Sequence, residues 1–307
     1  MKFYLLSIFA FFLVTFSVNG SNGALSEEVY WKSKLPHTPL PKALQELLLS
    51  ENAGNESRFA HAKDILESKD SCFHYVKPYG KAHEIDKKID ISNKTTIYLL
   101  YNNLHPYKMM NLSLTKSIKG SKFLPRKIAD SIPFSSNKSR DILDYFSIKP
   151  ASKEAQIIKQ TIKECEAPNI RGEDKYCATS FESLVDFVTA KFGKNVKAFS
   201  NEIEEEIKKK EYTILKGIKM IRDNPIVCHK QRYKYAVYYC HVINATKAYM
   251  VPLIGDNGSK AKAVVVCHSD TSAWNPNHFA FQVLNVKPGG PTICHFLNND
   301  AIVWVST

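Results

Sequence analysis

A chain of 307 residues with 44% apolar residues, 12 Gly and 14 Pro carries enough hydrophobic material for one sizeable core or two small ones. That excludes wholesale disorder and a collagen-like chain. Lys and Arg number 42 against 30 Asp and Glu, and the net charge of +12 would favour polyanions such as nucleic acid, anionic lipid or acidic polysaccharide.

The first twenty residues narrow this choice. Lys2 precedes the apolar run Phe3 to Val18, which is shorter than the about 20 residues a bilayer-spanning helix needs, and Val18 and Gly20 suit cleavage after position 20. Residues 1–20 read as a secretory signal peptide rather than an anchor, and no later stretch is apolar enough for a stable membrane span. Asn-X-Ser/Thr acceptors at Asn55, Asn93, Asn111, Asn137, Asn244 and Asn257 fit a secreted glycoprotein. A secretory route removes nucleic acid as a partner. The basic charge then serves solvation or attraction to acidic wall or vesicle polymers.

Residues 21–97 read as a polar, variable N-terminal arm. Its Pro-punctuated opening, Leu35 to Pro41, leads into a short helix over Lys42–Ser50 with Leu44, Leu47 and Leu48 on one face, packed loosely. The alternating charges of Glu51 to Asp70 indicate a linker or a weak helix.

From Tyr98 onward apolar residues become denser, and 98–307 reads as one domain. Ser152 caps a helix with Ala155, Ile158, Ile162 and Cys165 on one face. Thr179 and Glu182 form a capping box for a second helix carrying Leu184, Val185, Phe187 and Val188 and stopping at Gly193. Strands are predicted over Tyr233–His241, Ala248–Leu253, Ala261–His268, His278–Val286, Thr292–Leu297 and Ala301–Val305, with Asp256-Asn257-Gly258 as a hairpin turn. The fold class is α+β: two or three helices followed by a mainly antiparallel, disulfide-stabilised sheet or partial barrel.

Four Cys-His dipeptides, Cys228-His229, Cys240-His241, Cys267-His268 and Cys294-His295, are separated by 10, 25 and 25 residues. Ten His in the whole chain would not give this by chance. Successive side chains on a strand point to opposite faces, so dipeptides lying in strands gather sulfurs on one face and imidazoles on the other. That differs from zinc modules, whose ligands recur two or three residues apart on one loop or helix. An oxidising compartment favours disulfides among Cys165, Cys177, Cys228, Cys240, Cys267 and Cys294, with the connectivity open and Cys72 left over. Imidazoles without thiolates suit Cu(II), Zn(II) and Ni(II), with copper first where available; the alternative is four ordinary histidines bonded to backbone.

These dipeptides resemble the hallmark of the plant BURP-domain proteins, of a seed-protein or dehydration-responsive kind. The resemblance covers about Tyr98 to Val305. It includes Leu104-His105-Pro106 with Lys108-Met109, Phe123 to Arg126, Ile132 to Ser136, Tyr176 to Ser180 and Thr271 to Pro276; Tyr30-Trp31 and Leu35 to Pro41 resemble the arm. Some members are copper-dependent peptide cyclases that join a Tyr or Trp side chain to an unactivated carbon, and others are seed, stress-responsive or wall-associated proteins without an assigned activity. The resemblance implies copper as cofactor and His229, His241, His268 and His295 as ligands, with His278 in reserve. Tyr233, Tyr235, Tyr238 and Tyr239 would form a peptide wall or radical relay, or simply pack. Self-processing members carry a core peptide that begins with Gln and contains Trp or Tyr. Here the arm's only Gln is Gln45, and no Trp follows it before the domain. The implied cyclase would therefore act in trans on a short Tyr- or Trp-containing peptide. The non-catalytic alternative is a glycoprotein of the apoplast, cell wall or protein storage vacuole.

Overall fold

The computed structural model describes residues 26–48, 96–115, 121–203 and 207–307. The signal-peptide segment, the Glu51–Asp70 linker, Cys72, Asn55 and Asn93 lie outside the described residues.

Two antiparallel sheets form the body. The larger runs β1 (Tyr98–Leu100), β12 (Ile293–Phe296), β11 (Lys260–His268), β10 (Thr246–Gly255), β6 (Ile207–Ile214) and β2 (Met109–Leu114). Two further strands pair with it, β5 (Glu202–Ile203) on β11 and β7 (Lys219–Asp223) on β10. Its ends approach each other, since Thr96 N donates to Asn111 O at 2.6 Å, and the sheet curls into a half-barrel. Met110, Leu112, Ile214, Val251, Leu253, Ala263 and Val265 fill the lumen. The second sheet runs β3 (Glu173–Ala178), β9 (Tyr238–Ile243), β8 (Ile226–Lys230), β13 (Ile302–Ser306) and β4 (Val196–Phe199).

The sheets face each other across an apolar layer: Val227, Val303 and Val305 from one meet Ala248, Val264 and Val266 from the other. Strict alternation makes this possible. In β11, odd and even positions supply the lumen and the inter-sheet layer in turn, so Ala263 to Val266 are all fully buried.

Seven α-helices are described: α1 (Glu27–Lys34), α2 (Lys42–Gln45), α3 (Arg126–Ala129), α4 (Ser139–Tyr145), α5 (Lys153–Glu166), α6 (Phe181–Phe192) and α7 (Phe279–Leu284). Helix α5 is capped by Ser152, whose side chain accepts from Ala155 N, as the sequence indicates. Helix α6 ends at Gly193, whose φ of 71° lies in the region that favours glycine. Its capping box is one residue later than expected. Ser180 and Ser183 exchange the reciprocal bonds, each 3.1 Å, in place of Thr179 and Glu182.

Two expected strands are corrected. Over His278–Val286 the chain forms α7, because Ala280, Phe281 and Leu284 fall on one helical face and His278 caps it, its Nδ1 accepting from Ala280 N at 3.2 Å. The strand expected from Tyr233 starts at Tyr238. Tyr233 and Tyr235 instead plug the space under α4 and α5, edge-on to each other at 5.1 Å, beside Phe146, Ile158 and Ile162.

The described part of the arm, residues 26–48, is not loosely packed. Trp31 is 3% exposed, lies 5.8 Å from Phe181 and 5.6 Å from Trp304, and donates from Nε1 to Thr38 O at 2.8 Å. Thr38 Oγ1 donates to Val196 O, and Phe123 N donates to Leu47 O, so the arm is bonded to β4 and to the domain's opening. The helix expected over Lys42–Ser50 is regular only through Gln45, yet Leu47 and Leu48 stay buried. Outside this core, Asp186 on α6 accepts from Tyr30 OH and from Arg126 Nη2 at 2.6 Å, with Lys34 Nζ at 3.4 Å.

Truncating Trp31 to Ala should cost about 3 to 5 kcal/mol, because it empties an indole-sized space between α6 and β13. Thermal or urea unfolding of the variant will show this as a lower midpoint. Burial opposes the charge of Asp186, but its bonds from Tyr30 and Arg126 and the charges of Arg126 and Lys34 hold its carboxyl below the ordinary 3.8. A depressed folded value gives a contribution present above the ordinary value and lost as pH falls through the depressed one. Limited proteolysis should therefore cut the arm faster below about pH 4, and Asp186→Asn should show the faster cutting already at neutral pH.

Candidate metal centre

The register of the two sheets builds the site. In β8 and β9, Cys228 stands directly opposite Cys240, and in β11 and β12, Cys267 stands opposite Cys294. Both pairs are disulfide-bonded, as are Cys165 and Cys177. The sulfurs point outward from the inter-sheet layer. Cys228 and Cys240 join the core with Trp304 and Tyr238, and Cys267 and Cys294 join the half-barrel lumen.

Each histidine, one residue further on, faces the other way. The sequence placed sulfurs and imidazoles on opposite faces of four strands; the structure divides those strands between two sheets, whose imidazole faces look at each other. His229 and His241 have ring centroids 5.3 Å apart, His229 and His295 6.2 Å, and His268 and His295 5.4 Å. The last two rings are stacked, with Nε2 atoms 3.3 Å apart. Tyr98 lies edge-on to His295 at 5.9 Å and Trp274 edge-on to His268 at 5.0 Å, closing one side. His278 sits behind Trp274, 4.8 Å from its ring, with Nδ1 engaged in capping α7.

Burial keeps His229, His268, His278 and His295 neutral. It pushes His229 down to about 3, reinforced by His241 and His268, and His295 down to about 3, reinforced by His229. His268 is driven well below its ordinary value by burial and then by His295, and His278 is lowered by burial. Neutral imidazoles offer lone pairs to a cation at physiological pH.

Two polar partners were not foreseen. Glu173, at the start of β3, is 7% exposed at its side chain; Oε1 accepts from Tyr239 OH at 2.7 Å and lies 3.2 Å from His241 Nδ1, and Oε2 accepts from Ile170 N. Burial alone would raise its pKa, but the bonds from His241, Tyr239 and Ile170 hold it at about 2. Thr246 Oγ1 lies 2.9 Å from His268 Nδ1. Neither has a sequence signature, since each reaches its histidine across a strand pair.

The donor set fits a borderline cation such as Cu(II): nitrogen only, with the sulfurs locked in disulfides. Two nitrogens sharing an ion at about 2.0 Å stand about 3 Å apart, which the His268–His295 pair matches. Among the described residues, no group of three or more His, Cys, Asp or Glu is already set at ion-holding geometry. Taking up an ion would thus require the rings of the two sheets to draw closer together. Of the expected tyrosines, Tyr239 borders the cluster; Tyr238 is buried in the other core and donates to Asp300 O, and Tyr233 and Tyr235 lie under the helices.

A sandwich of a half-barrel and a smaller sheet, with Cys-His pairs dividing sulfur from imidazole, defines a disulfide-stabilised α+β domain, and the comparisons give its family. The BURP domain model matches residues 97–306, and the chain belongs to the BURP-domain family of plant proteins. It is 39% identical over 293 residues to BURP domain-containing protein 5 of Oryza sativa subsp. japonica, covering 93% of this chain and 88% of that protein. It is 51% identical over 188 residues to BURP domain protein RD22 of Arabidopsis thaliana, covering 60% of this chain and 48% of RD22. Protein RAFTIN 1B of Triticum aestivum is 29% identical over 360 aligned positions, with 99% and 98% covered. The chain thus spans most of some curated relatives and about half the length of others.

Because His268 and His295 are both neutral at pH 7, a 3.3 Å contact between their Nε2 atoms requires one to donate and one to accept. Long-range ¹⁵N–¹H spectra of the metal-free chain should show one of the two with a protonated Nε2 and the other with a bare one. Two bare or two protonated Nε2 atoms would contradict the contact.

Proposed function

We propose that the cluster of His229, His241, His268 and His295 is a copper site, and that the chain is a copper-dependent oxidative peptide macrocyclase acting in trans. The convergence of four imidazoles between two sheets, with the cysteines turned away, carries this reading. The substrate class is a short precursor peptide containing Tyr or Trp. Cyclisation would join that side chain to an unactivated carbon, removing two hydrogens from the peptide, with dioxygen accepting two electrons and two protons to give hydrogen peroxide. Copper, when bound, supplies the one-electron chemistry that amino-acid side chains lack. The protein's own contribution is to offer bare imidazole nitrogens, to fix two rings through Glu173 and Thr246, and to shield the cluster from water with Tyr98 and Trp274.

Three disulfides fit the oxidising secretory pathway. Among the described residues, no helix is long and apolar enough to cross a membrane. The destination we propose is the apoplast and cell wall or the protein storage vacuole. Asn111, Asn137, Asn244 and Asn257 are all exposed, as glycan acceptors on that route must be.

One observation favours a non-catalytic seed, stress-responsive or wall-associated glycoprotein. His268 and His295 are only 3% and 5% exposed, so they also serve as packing between the sheets. Such a protein would use its basic surface on acidic wall polysaccharide.

Copper titration of the secreted, glycosylated chain separates these readings, followed by mass spectrometry after incubation with oxygen and Tyr- or Trp-containing peptides. The cyclase reading expects saturable copper binding, a 2 Da loss from a peptide, and loss of both in His241→Ala with folding retained. Copper affinity in that variant should fall by more than about 100-fold, beyond the effect of removing an outer partner. An absence of specific copper binding would remove the enzyme and leave the packing role.

A further inference from the structure

We infer that Glu173 is a positioning residue for His241: it holds the proton on Nδ1, so that Nε2 is the nitrogen turned to the ion. This rests on the metal-site reading above. His241 is partly exposed, its side chain at 15%, whereas His268 and His295 are deeply buried, so packing alone leaves its ring less confined than theirs. Three anchors fix the carboxylate in place. Strand β3 pairs along its length with β9, Ile170 N donates to Oε2 at 3.2 Å, and Tyr239 OH donates to Oε1 at 2.7 Å.

An ionised carboxylate only accepts hydrogen bonds, so its 3.2 Å contact with His241 Nδ1 requires the proton on that nitrogen. In the neutral ring the opposite nitrogen is then bare. A carboxylate behind a ligating imidazole fixes its tautomer, restrains its rotation and makes it a stronger donor. His268 has neutral partners, Thr246 Oγ1 at its Nδ1 and His295 Nε2 at its Nε2, each able to donate or accept. The two imidazoles are therefore held differently: His241 is committed to one tautomer by a carboxylate, and His268 takes either, with His295 taking the complementary one.

The test compares the full secreted chain with Glu173→Gln and Tyr239→Phe. The Gln side chain keeps the shape but can offer N–H in place of oxygen, releasing the tautomer. Tyr239→Phe removes one of the three anchors but keeps the accepting carboxylate, so it measures what loosening the anchor alone does. In the unaltered, metal-free chain, at a pH where the His241 ring is neutral, ¹⁵N spectra should show it protonated at Nδ1 with a bare Nε2; a neutral ring protonated at Nε2 overturns the inference without any variant. Glu173→Gln should weaken Cu(II) binding by about 10- to 100-fold and alter the nitrogen hyperfine pattern in the copper spectrum. Tyr239→Phe should change both far less. Copper affinity and tautomer unchanged in Glu173→Gln, with the unaltered chain still binding copper, overturn the role of Glu173 alone. No copper uptake by the unaltered chain overturns the metal reading, and with it the ion His241 would serve.

Discussion

Two covalent bonds between residues directly opposite one another, Cys228–Cys240 and Cys267–Cys294, set the geometry on which the rest depends. A strand pair that slips by one residue exchanges its faces. A bridge across one rung forbids that slip, and fixing the sulfurs outward fixes the adjacent imidazoles inward. One bridge lies in each sheet, so both inner faces are locked independently and their histidines meet in the layer between. The sulfur atoms therefore act at a distance, by register, while the nitrogens meet at the site.

The inter-sheet layer changes character along its length. One part is filled by Val227, Val264, Val266, Val303 and Val305 and is wholly apolar. The other holds four imidazoles, bordered by Tyr98, Trp274, Tyr239 and Glu173. The valines hold the sheets apart by a constant distance. Aromatic rings fill that same spacing, which lets a polar cluster occupy a core position without opening the sandwich. Neutrality of His229, His268 and His295 is what makes this arrangement tolerable, since a buried imidazolium would carry a large desolvation cost.

Local features of the sequence were legible where one residue type has one dominant use. Ser152 as a cap, Gly193 as a stop, Asn257-Gly258 as a hairpin turn and the alternation through Ala261–His268 all appear where expected. The Cys-His dipeptides also forecast the division of sulfur from imidazole, because that follows from the two-residue period of any strand. Tertiary partners decided the remainder. Tyr233 and Tyr235 have strand-like composition but fill a space between helices, and Val283 and Val286 masked the helical spacing of Ala280, Phe281 and Leu284. The arm looked irregular because its few large residues, Trp31 and Leu44 among them, find their partners far away in the chain. Glu173 and Thr246 could not be read for the same reason: each acquires its role from the residue that happens to lie across the sheet.

The packing of Trp31 on Trp304 bears on the order of events during folding. The first described helix and β13 share one cluster, so the smaller sheet is completed by a contact between segments far apart in sequence. Until β13 separates β8 from β4, the apolar side of α1 has no seat and the two halves of that sheet have no common neighbour. Closing so long a loop comes late, and the exposed indole is an aggregation liability until it does. Removing β13 would undo the docking of α1 as well.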